Sequence, residues 1–104
     1  MSQEAPALEV RDRWDGAEVT MTVRGEIDLS TAEVLSERLA EATGRNPSRL
    51  VVDMAGVGFM DSAGLHCFVR RVLPASCPLI LRSAQRHVRQ VFELTGLGTV
   101  YDFE

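Results

Sequence analysis

The sequence predicts a single α/β domain, a mixed sheet of four or five strands with about three helices in the order β-β-α-β-α-β-α-β. Its 104 residues, 45% of them hydrophobic, suit one domain around one core. Two N-terminal segments alternate apolar and polar residues at period two. After them, short β-branched runs alternate with helical patterns, which favours parallel strands joined by right-handed crossovers. We expect the helices mainly on one face, and residues 1–7 to be flexible.

The first two elements are predicted to form an antiparallel hairpin. The segment LEVRDRWD, residues 8–15, begins with apolar-polar alternation, and Asp15-Gly16 is a strong turn signal. The next segment places Val19, Met21 and Val23 on one face. We expect the first strand to lie at an edge of the sheet.

The first helix is predicted over about Ser30–Thr43. The letters STAE at positions 30–33 match a capping box, in which the serine caps the helix and the glutamate reaches back. Gly44 is well placed to end the helix. One stripe of the helix is apolar at helical spacing, namely Ala32, Leu35, Leu39 and Ala42.

The remaining elements alternate. A third strand is predicted over Leu50–Met54, rich in β-branched residues. The segment SAGLHCFVRRVL then reads as a helix that stops near Leu73, because Pro74 disfavours helix at the preceding residue. PLILRS is a fourth strand, QRHVRQVFELTG a third helix, and TVYDF a last strand. The apolar residues expected to face inward from the third helix are Val88, Val91, Phe92 and Leu94.

Composition argues against several classes of function. The net charge of −4 disfavours a nucleic-acid partner, since phosphate neutralisation needs clustered cations. No apolar run approaches the length needed to cross a bilayer, and the N-terminus lacks a signal-peptide pattern, so we expect a cytoplasmic protein with no membrane partner. We expect Cys67 and Cys77 to be unbridged there, with Cys67 in the core. His66 and His87 lack companions at ligand spacing, so no metal site is predicted.

Asp28 and Ser62 are the candidate functional residues, because each follows a predicted parallel strand and precedes a helix. The carboxyl ends of parallel strands lie along one edge of a sheet, where open α/β proteins tend to place working residues. A purely structural alternative exists for both: Asp61 alone can cap the second helix, with the Ser62 hydroxyl in solvent, and Asp28 can be a turn residue. Gly64, in the first turn, costs up to about 1 kcal/mol relative to alanine. A close approach by another backbone would explain it.

The same residues give little support for catalysis. A nucleophilic serine needs a base within hydrogen-bond reach, and His66 lies one helical turn from Ser62. However, the sequence offers no orienting acid, no oxyanion hole and no G-x-S-x-G elbow. The letters AGVGF also lack the lysine of a phosphate-binding loop, and the segments around Asp28 and Ser62 contain no basic residue in 25–30 or 55–62. We therefore predict no catalytic residues and no bound cofactor.

Three segments resemble the STAS-domain anti-sigma factor antagonists of bacteria: GEIDLSTAEVLSERL, LVVDMAGVGFMDSAGL and VFELTGL followed by VYDFE. The similarity runs from about Leu8 to Glu104. It implies a partner-switching regulator that is not an enzyme. A kinase-type anti-sigma factor, which supplies ATP and Mg²⁺, would phosphorylate Ser62 and thereby be released, and a phosphatase would reset the serine. The resemblance also implies that partners contact Asp28, Asp61, Ser62, Gly64 and His66.

Two departures from the family pattern bear on partners. Many members have glycine where this chain has His66, which adds bulk at the implied contact face. Members usually carry one more helix after the last strand, so we expect exposed apolar surface near Val100, Tyr101 and Phe103 and a weak dimer or partner contact there. A non-switching STAS scaffold, as in stressosome-like or lipid-transport complexes, is the alternative function. A nucleotide- or phosphate-binding module is a third alternative, and it would need a basic residue near the site.

Overall fold

The computed structural model describes residues 7–72, 77–94 and 102–104, and these form one five-stranded sheet with three helices. The strands are β1 (Leu8–Asp15), β2 (Glu18–Ile27), β3 (Arg49–Met60), β4 (Leu79–Arg82) and β5 (Asp102–Phe103). The helices are α1 (Ala32–Gly44), α2 (Ser62–Arg71) and α3 (Arg86–Leu94). The predicted fold class and element order are confirmed. Of the segment expected to be flexible, only Ala7 lies within the described residues.

The sheet order β1-β2-β3-β4-β5 explains why the helices share one face. β1 pairs with β2 antiparallel, which leaves β1 at an edge as predicted, and every later pair is parallel. Each crossover steps to the next position in the same direction. Because such crossovers are right-handed, helices that always step the same way must lie on the same side of the sheet.

The hydrophobic core lies between that side of the sheet and the helices. Alternate residues of β2 and β3 face it, and their register pairs, such as Val19 with Leu50 and Met21 with Val52, are fully buried. The helices contribute Leu35 and Leu39 from α1 and Phe68 from α2 to the same cluster. From α3, the buried Phe92 packs edge-to-face against Phe68, with 5.4 Å between ring centroids.

The third strand is much longer than predicted: it spans Arg49–Met60 rather than Leu50–Met54. The glycines in AGVGF made this stretch look like a loop. In the structure they accompany two register shifts between β2 and β3, and a Cβ at Gly56 would lie 2.8 Å from Cγ of Arg24. Glycine in a strand often marks such a close approach or bulge, so the strand continues to Met60 and carries the following residues with it.

Predictions for α3 and the C-terminus need correction. Leu94, expected to face inward, is 86% exposed, because α3 ends there and its buried face is carried by Val88 and Phe92. Phe103 is half-buried, with its ring 6.4 Å from that of Phe92 and under the guanidinium of Arg89. It does not lie open as expected. Val100 and Tyr101, and most of the predicted last strand, lie outside the described residues.

Both cysteines are free thiols, as predicted. Cys67 is buried and its Sγ lies 3.2 Å from the carbonyl oxygen of Ala32, whereas Cys77 is half-exposed. Burial is the main cause that raises the pKa of each thiol.

We therefore expect two reactive thiols per chain in denaturant but unequal reactivity in the native protein. Because Cys67 must wait for local opening, Cys77 should react with a disulfide reagent faster by at least about tenfold. A Cys77→Ser variant should retain only the slow phase. Fewer than two thiols in denaturant would contradict the free-thiol assignment, and a faster reaction of Cys67 would contradict its burial.

Candidate functional site

The parallel pairing of β2 and β3 brings Asp28 and Ser62 to the same end of the sheet. The last residues of the two strands, Ile27 and Met60, are register partners. The backbone N–H of Asp61 donates to the carbonyl of Ile27 at 3.2 Å, which continues the ladder beyond the strand. Asp28 and Asp61 therefore leave neighbouring strands side by side, and Ser62 begins α2 one residue later.

Asp61 caps α2 and leaves Ser62 unused by the fold. Asp61 has an extended backbone, and its Oδ1 accepts a hydrogen bond from the N–H of Ala63 at 2.9 Å. This geometry satisfies one of the donors that every helix leaves at its first turn. Ser62 is exposed, and within the part of the chain that the structure describes its hydroxyl has no hydrogen-bond partner. This is the local arrangement of the structural alternative, and it also displays a free hydroxyl.

Asp28 organises the turn before α1, and the predicted capping box is wrong. The helix begins at Ala32, not Ser30, and its N-cap Thr31 makes no side-chain cap bond. Instead Oδ1 of Asp28 accepts bonds from the N–H of Ser30 at 2.9 Å, from its hydroxyl at 2.6 Å and from the N–H of Thr31 at 3.2 Å. The hydrogen bond from the Ser30 hydroxyl is the main cause that lowers the pKa of Asp28, and the bonds from the backbone N–H groups of Ser30 and Thr31 lower it further. Asp28 is thus a turn residue held as a carboxylate.

The buried Thr31 completes the same turn. Its Oγ1 accepts from the N–H of Asp28 at 3.0 Å and donates to the carbonyl of Glu26 at 2.8 Å. The turn is therefore bonded back to the end of β2, which fixes the position of the Asp28 carboxylate relative to the strand.

Gly64 allows α2 to sit directly on the ends of the two strands. A Cβ at this position would lie 2.5 Å from Cγ2 of Ile27 and 2.6 Å from Cγ of Met60. A close approach was predicted, but the neighbours are side chains rather than backbone. The contact explains why a helix start carries glycine despite its unfavourable helix propensity.

His66 and Arg70 lie on the face of α2 that meets α1. Together with residues of α1 and of the turn before it, they line an open groove of about 220 Å³. The other lining residues are Leu29, Ala32, Glu33, Ser36, Ala63 and Cys67. Among the described residues, no hydrogen bond joins His66 to Ser62.

Two exposed apolar side chains lie close in sequence to Asp28 and Asp61, and the sequence analysis missed them. The described residues include four exposed large hydrophobic side chains: Leu29, Val34, Phe59 and Leu94. Phe59 lies two residues before Asp61. Leu29, next to Asp28, is 84% exposed. Phe59 lies beyond the predicted end of the third strand at Met54, and Leu29 lies outside the apolar stripe of the first helix. Apolar residues outside any predicted buried face are the signal that could have identified them.

Two further properties concern the described residues as a whole. None of their helices is long and apolar enough to cross a membrane. Their His, Cys, Asp and Glu side chains form no group of three that could hold a metal ion.

Comparison with known proteins gives consistent matches. A family model described as "Mlab, STAS domain" matches residues 10–102. The anti-sigma-F factor antagonist RsfB of Mycobacterium tuberculosis is 44% identical over 45 residues, which cover 43% of this chain but only 37% of that protein. An anti-sigma-B factor antagonist of Listeria monocytogenes is 29% identical over 101 residues, covering 94% of this chain and 88% of that protein. The phosphorylated form of SpoIIAA, a Bacillus cell fate determinant, superimposes with a TM-score of 0.69 at 20% identity, covering 92% of this chain and 91% of SpoIIAA.

Replacing Gly64 by alanine should destabilise the domain. The new methyl group would overlap two buried side chains, a cost of about 1–3 kcal/mol that the better helix propensity of alanine only partly offsets. We expect a net loss of about 1–2 kcal/mol in the free energy of unfolding, measured by urea denaturation.

Gly58→Ala is the matched control, because nothing lies within 4 Å of a Cβ built there. Its free energy of unfolding should change by less than about 0.5 kcal/mol. If the two variants were equally stable, the tight packing of α2 on Ile27 and Met60 would be refuted.

Proposed function

The chain belongs to the STAS-domain family, and we propose that it is an anti-sigma factor antagonist that changes partners when Ser62 is phosphorylated. In this proposal the unphosphorylated chain binds a kinase-type anti-sigma factor in the cytoplasm and so frees the sigma factor. The kinase transfers the γ-phosphoryl group of its own Mg-ATP to Oγ of Ser62, releasing ADP and the hydroxyl proton. A separate phosphatase restores the serine by hydrolysis.

The observation that carries the proposal is the free hydroxyl of Ser62. A kinase needs an accessible hydroxyl whose phosphorylation breaks no hydrogen bond that stabilises the fold. Because Asp61 supplies the cap of α2, Ser62 can be modified without uncapping the helix. A serine that served as the N-cap itself would lose its bond to the backbone on modification, at a cost of typically about 1 kcal/mol.

The names of the similar proteins support the same role. RsfB and the Listeria protein are named as antagonists of anti-sigma-F and anti-sigma-B factors. SpoIIAA has been solved in a phosphorylated form and shares this fold. The RsfB match covers under half of that protein, so the proposal rests on it only together with the site itself.

The charges around Ser62 give a physical reason for release. A phosphoserine carries about −1.5 to −2 charges at neutral pH. It would join the carboxylates of Asp28 and Asp61, both already fixed at this end of the sheet by their own hydrogen bonds. In the free protein water screens this repulsion. A partner that covers the site excludes the water, so the same charges become costly and the complex dissociates.

The exposed apolar residues supply the area that such a partner would bury. Leu29 follows Asp28 directly and is 84% exposed, and Phe59 lies two residues before Asp61 and is 44% exposed. In such an interface, hydrophobic burial provides the affinity, and negative charge added at Ser62 lowers that affinity.

We expect Ser62→Ala to bind the anti-sigma factor but to resist phosphorylation. Ser62→Asp should bind at least about tenfold more weakly, equivalent to 1.4 kcal/mol, because a fixed charge replaces the neutral hydroxyl. Calorimetric titration and intact mass after incubation with Mg-ATP measure the two effects.

Ser48→Ala and Ser48→Asp are matched controls, because Ser48 is exposed and immediately precedes β3, at the opposite end of the strand from Ser62. Both should behave as wild type. Normal phosphorylation of Ser62→Ala would refute the acceptor assignment. Tight binding by every Ser62 variant with no phosphorylation of the wild type would instead favour the non-switching scaffold.

Leu29→Ser should weaken partner binding by at least about fivefold, since burying a leucine side chain is worth about 1.5–3 kcal/mol. The control is Leu94→Ser, which removes an equally exposed leucine from the end of α3. It should leave the affinity within about twofold of wild type. Equal losses in both variants would show that the partner does not bind at the Ser62 end.

A further inference from the structure

We propose that His66 is a positioning residue for the phosphorylated form, in which its imidazole pairs with the phosphate on Ser62. This inference rests on the proposed function, because it takes Ser62 as the phosphoacceptor. It goes beyond the proposed function by assigning a task to the side chain of His66, which the proposed phosphorylation mechanism does not use.

The geometry of α2 places the two side chains together. Ser62 is the first residue of the helix and His66 follows one turn later. Side chains on a helix tilt toward its N-terminus, so the imidazole of His66 lies over the turn that contains Ser62. Pairs at this spacing interact, and the favourable orientation has the anion on the N-terminal side of the cation.

Both side chains are available for the contact. His66 and Ser62 are exposed, and within the described part of the chain neither side chain makes a hydrogen bond or ion pair. The phosphate would therefore displace only water. The second histidine differs in this respect, because Nε2 of His87 lies 2.7 Å from the carbonyl oxygen of Gly58.

The charged groups around His66 leave it able to respond to the phosphate. On its own helix Arg70 lies one turn further along and makes no ion pair with any described residue, and Cys67 is a buried thiol. Across the groove α1 contributes Glu33, whose charge opposes that of Arg70. Asp61 begins the helix, with its carboxylate bonded to the backbone.

Near neutral pH the pairing would couple two protonation equilibria. The second ionisation of a phosphoserine and that of an ordinary imidazole both fall near pH 6–6.5. A dianionic phosphate favours the imidazolium, and the imidazolium favours the dianion. The paired phosphate is then drawn along α2 toward the groove and away from the carboxylates of Asp28 and Asp61.

The experiment introduces phosphoserine at position 62 during translation, so that it needs no kinase. Proton NMR then follows the imidazole titrations of the unphosphorylated and phosphorylated proteins, with His87 as the internal reference. We expect phosphorylation to raise the proton affinity of His66 at least about threefold and to leave that of His87 unchanged.

Phosphorus NMR of variants distinguishes direct pairing of His66 with the phosphate from the long-range effect of nearby positive charge. His66→Gln should raise the proton affinity of the phosphate by at least about twofold, whereas Arg70→Gln should change it less. His66 is exposed, so His66→Gln should not affect folding. The inference is overturned if His66 titrates identically in both forms, or if Arg70→Gln has the larger effect.

The outcome is distinguishable from failure of the proposed function. If the kinase modifies Ser62 but His66 does not respond to the phosphate, only the positioning role is lost. If His66 responds in the translationally phosphorylated protein but no anti-sigma kinase modifies Ser62, the pairing stands and the partner-switching proposal is lost.

Discussion

The arrangement of the site depends on one close contact, that of α2 with the ends of β2 and β3 at Gly64. Ile27 and Met60 are register partners, and their side chains occupy the space that a Cβ at position 64 would need. The contact lets the helix start immediately after the strand, with only Asp61 between them. A larger residue at this position would push the first turn, and with it Ser62, away from the turn that holds Asp28.

Around that contact, neighbouring residues divide structural and functional tasks. Asp61 caps the N-terminus of α2, and Gly64 lets the helix pack closely against β2 and β3. Ser62, between them, makes no side-chain hydrogen bond with any described residue. Asp28 is also committed to structure, since its carboxylate bonds the following turn. Its charge nevertheless remains at the site, where the proposed function would use it to repel a phosphate on Ser62.

The one-sided fold leaves exposed apolar residues near the ends of β2 and β3. Three crossovers that step in one direction place α1, α2 and α3 on one face of the sheet. Leu29, which follows β2, and Phe59, next to the end of β3, remain exposed although both are apolar, which costs the isolated chain favourable burial. In the proposed function, a partner would cover such apolar surface.

The sequence by itself determined the element order, the mixed sheet with its parallel pairs, and the placement of Asp28 and Ser62 at the same end of that sheet. Those properties follow from local periodicity and from the handedness of crossovers, both of which can be read along the chain. Only the tertiary structure decided that β3 runs to Met60, that Asp28 rather than Ser30 and Glu33 organises the start of α1, and that Leu94 is exposed. Each of these depends on contacts between residues distant in sequence or on competing local bonds. β3 is long because β2 pairs with its glycine-rich segment, and α1 starts late because the Asp28 carboxylate takes the hydrogen bonds that a capping box would use. Leu94 is exposed because Val88 and Phe92 form the buried face of α3. The spacing of residues along one strand or helix contains no information about such contacts, because they form only when distant segments come together in the tertiary fold.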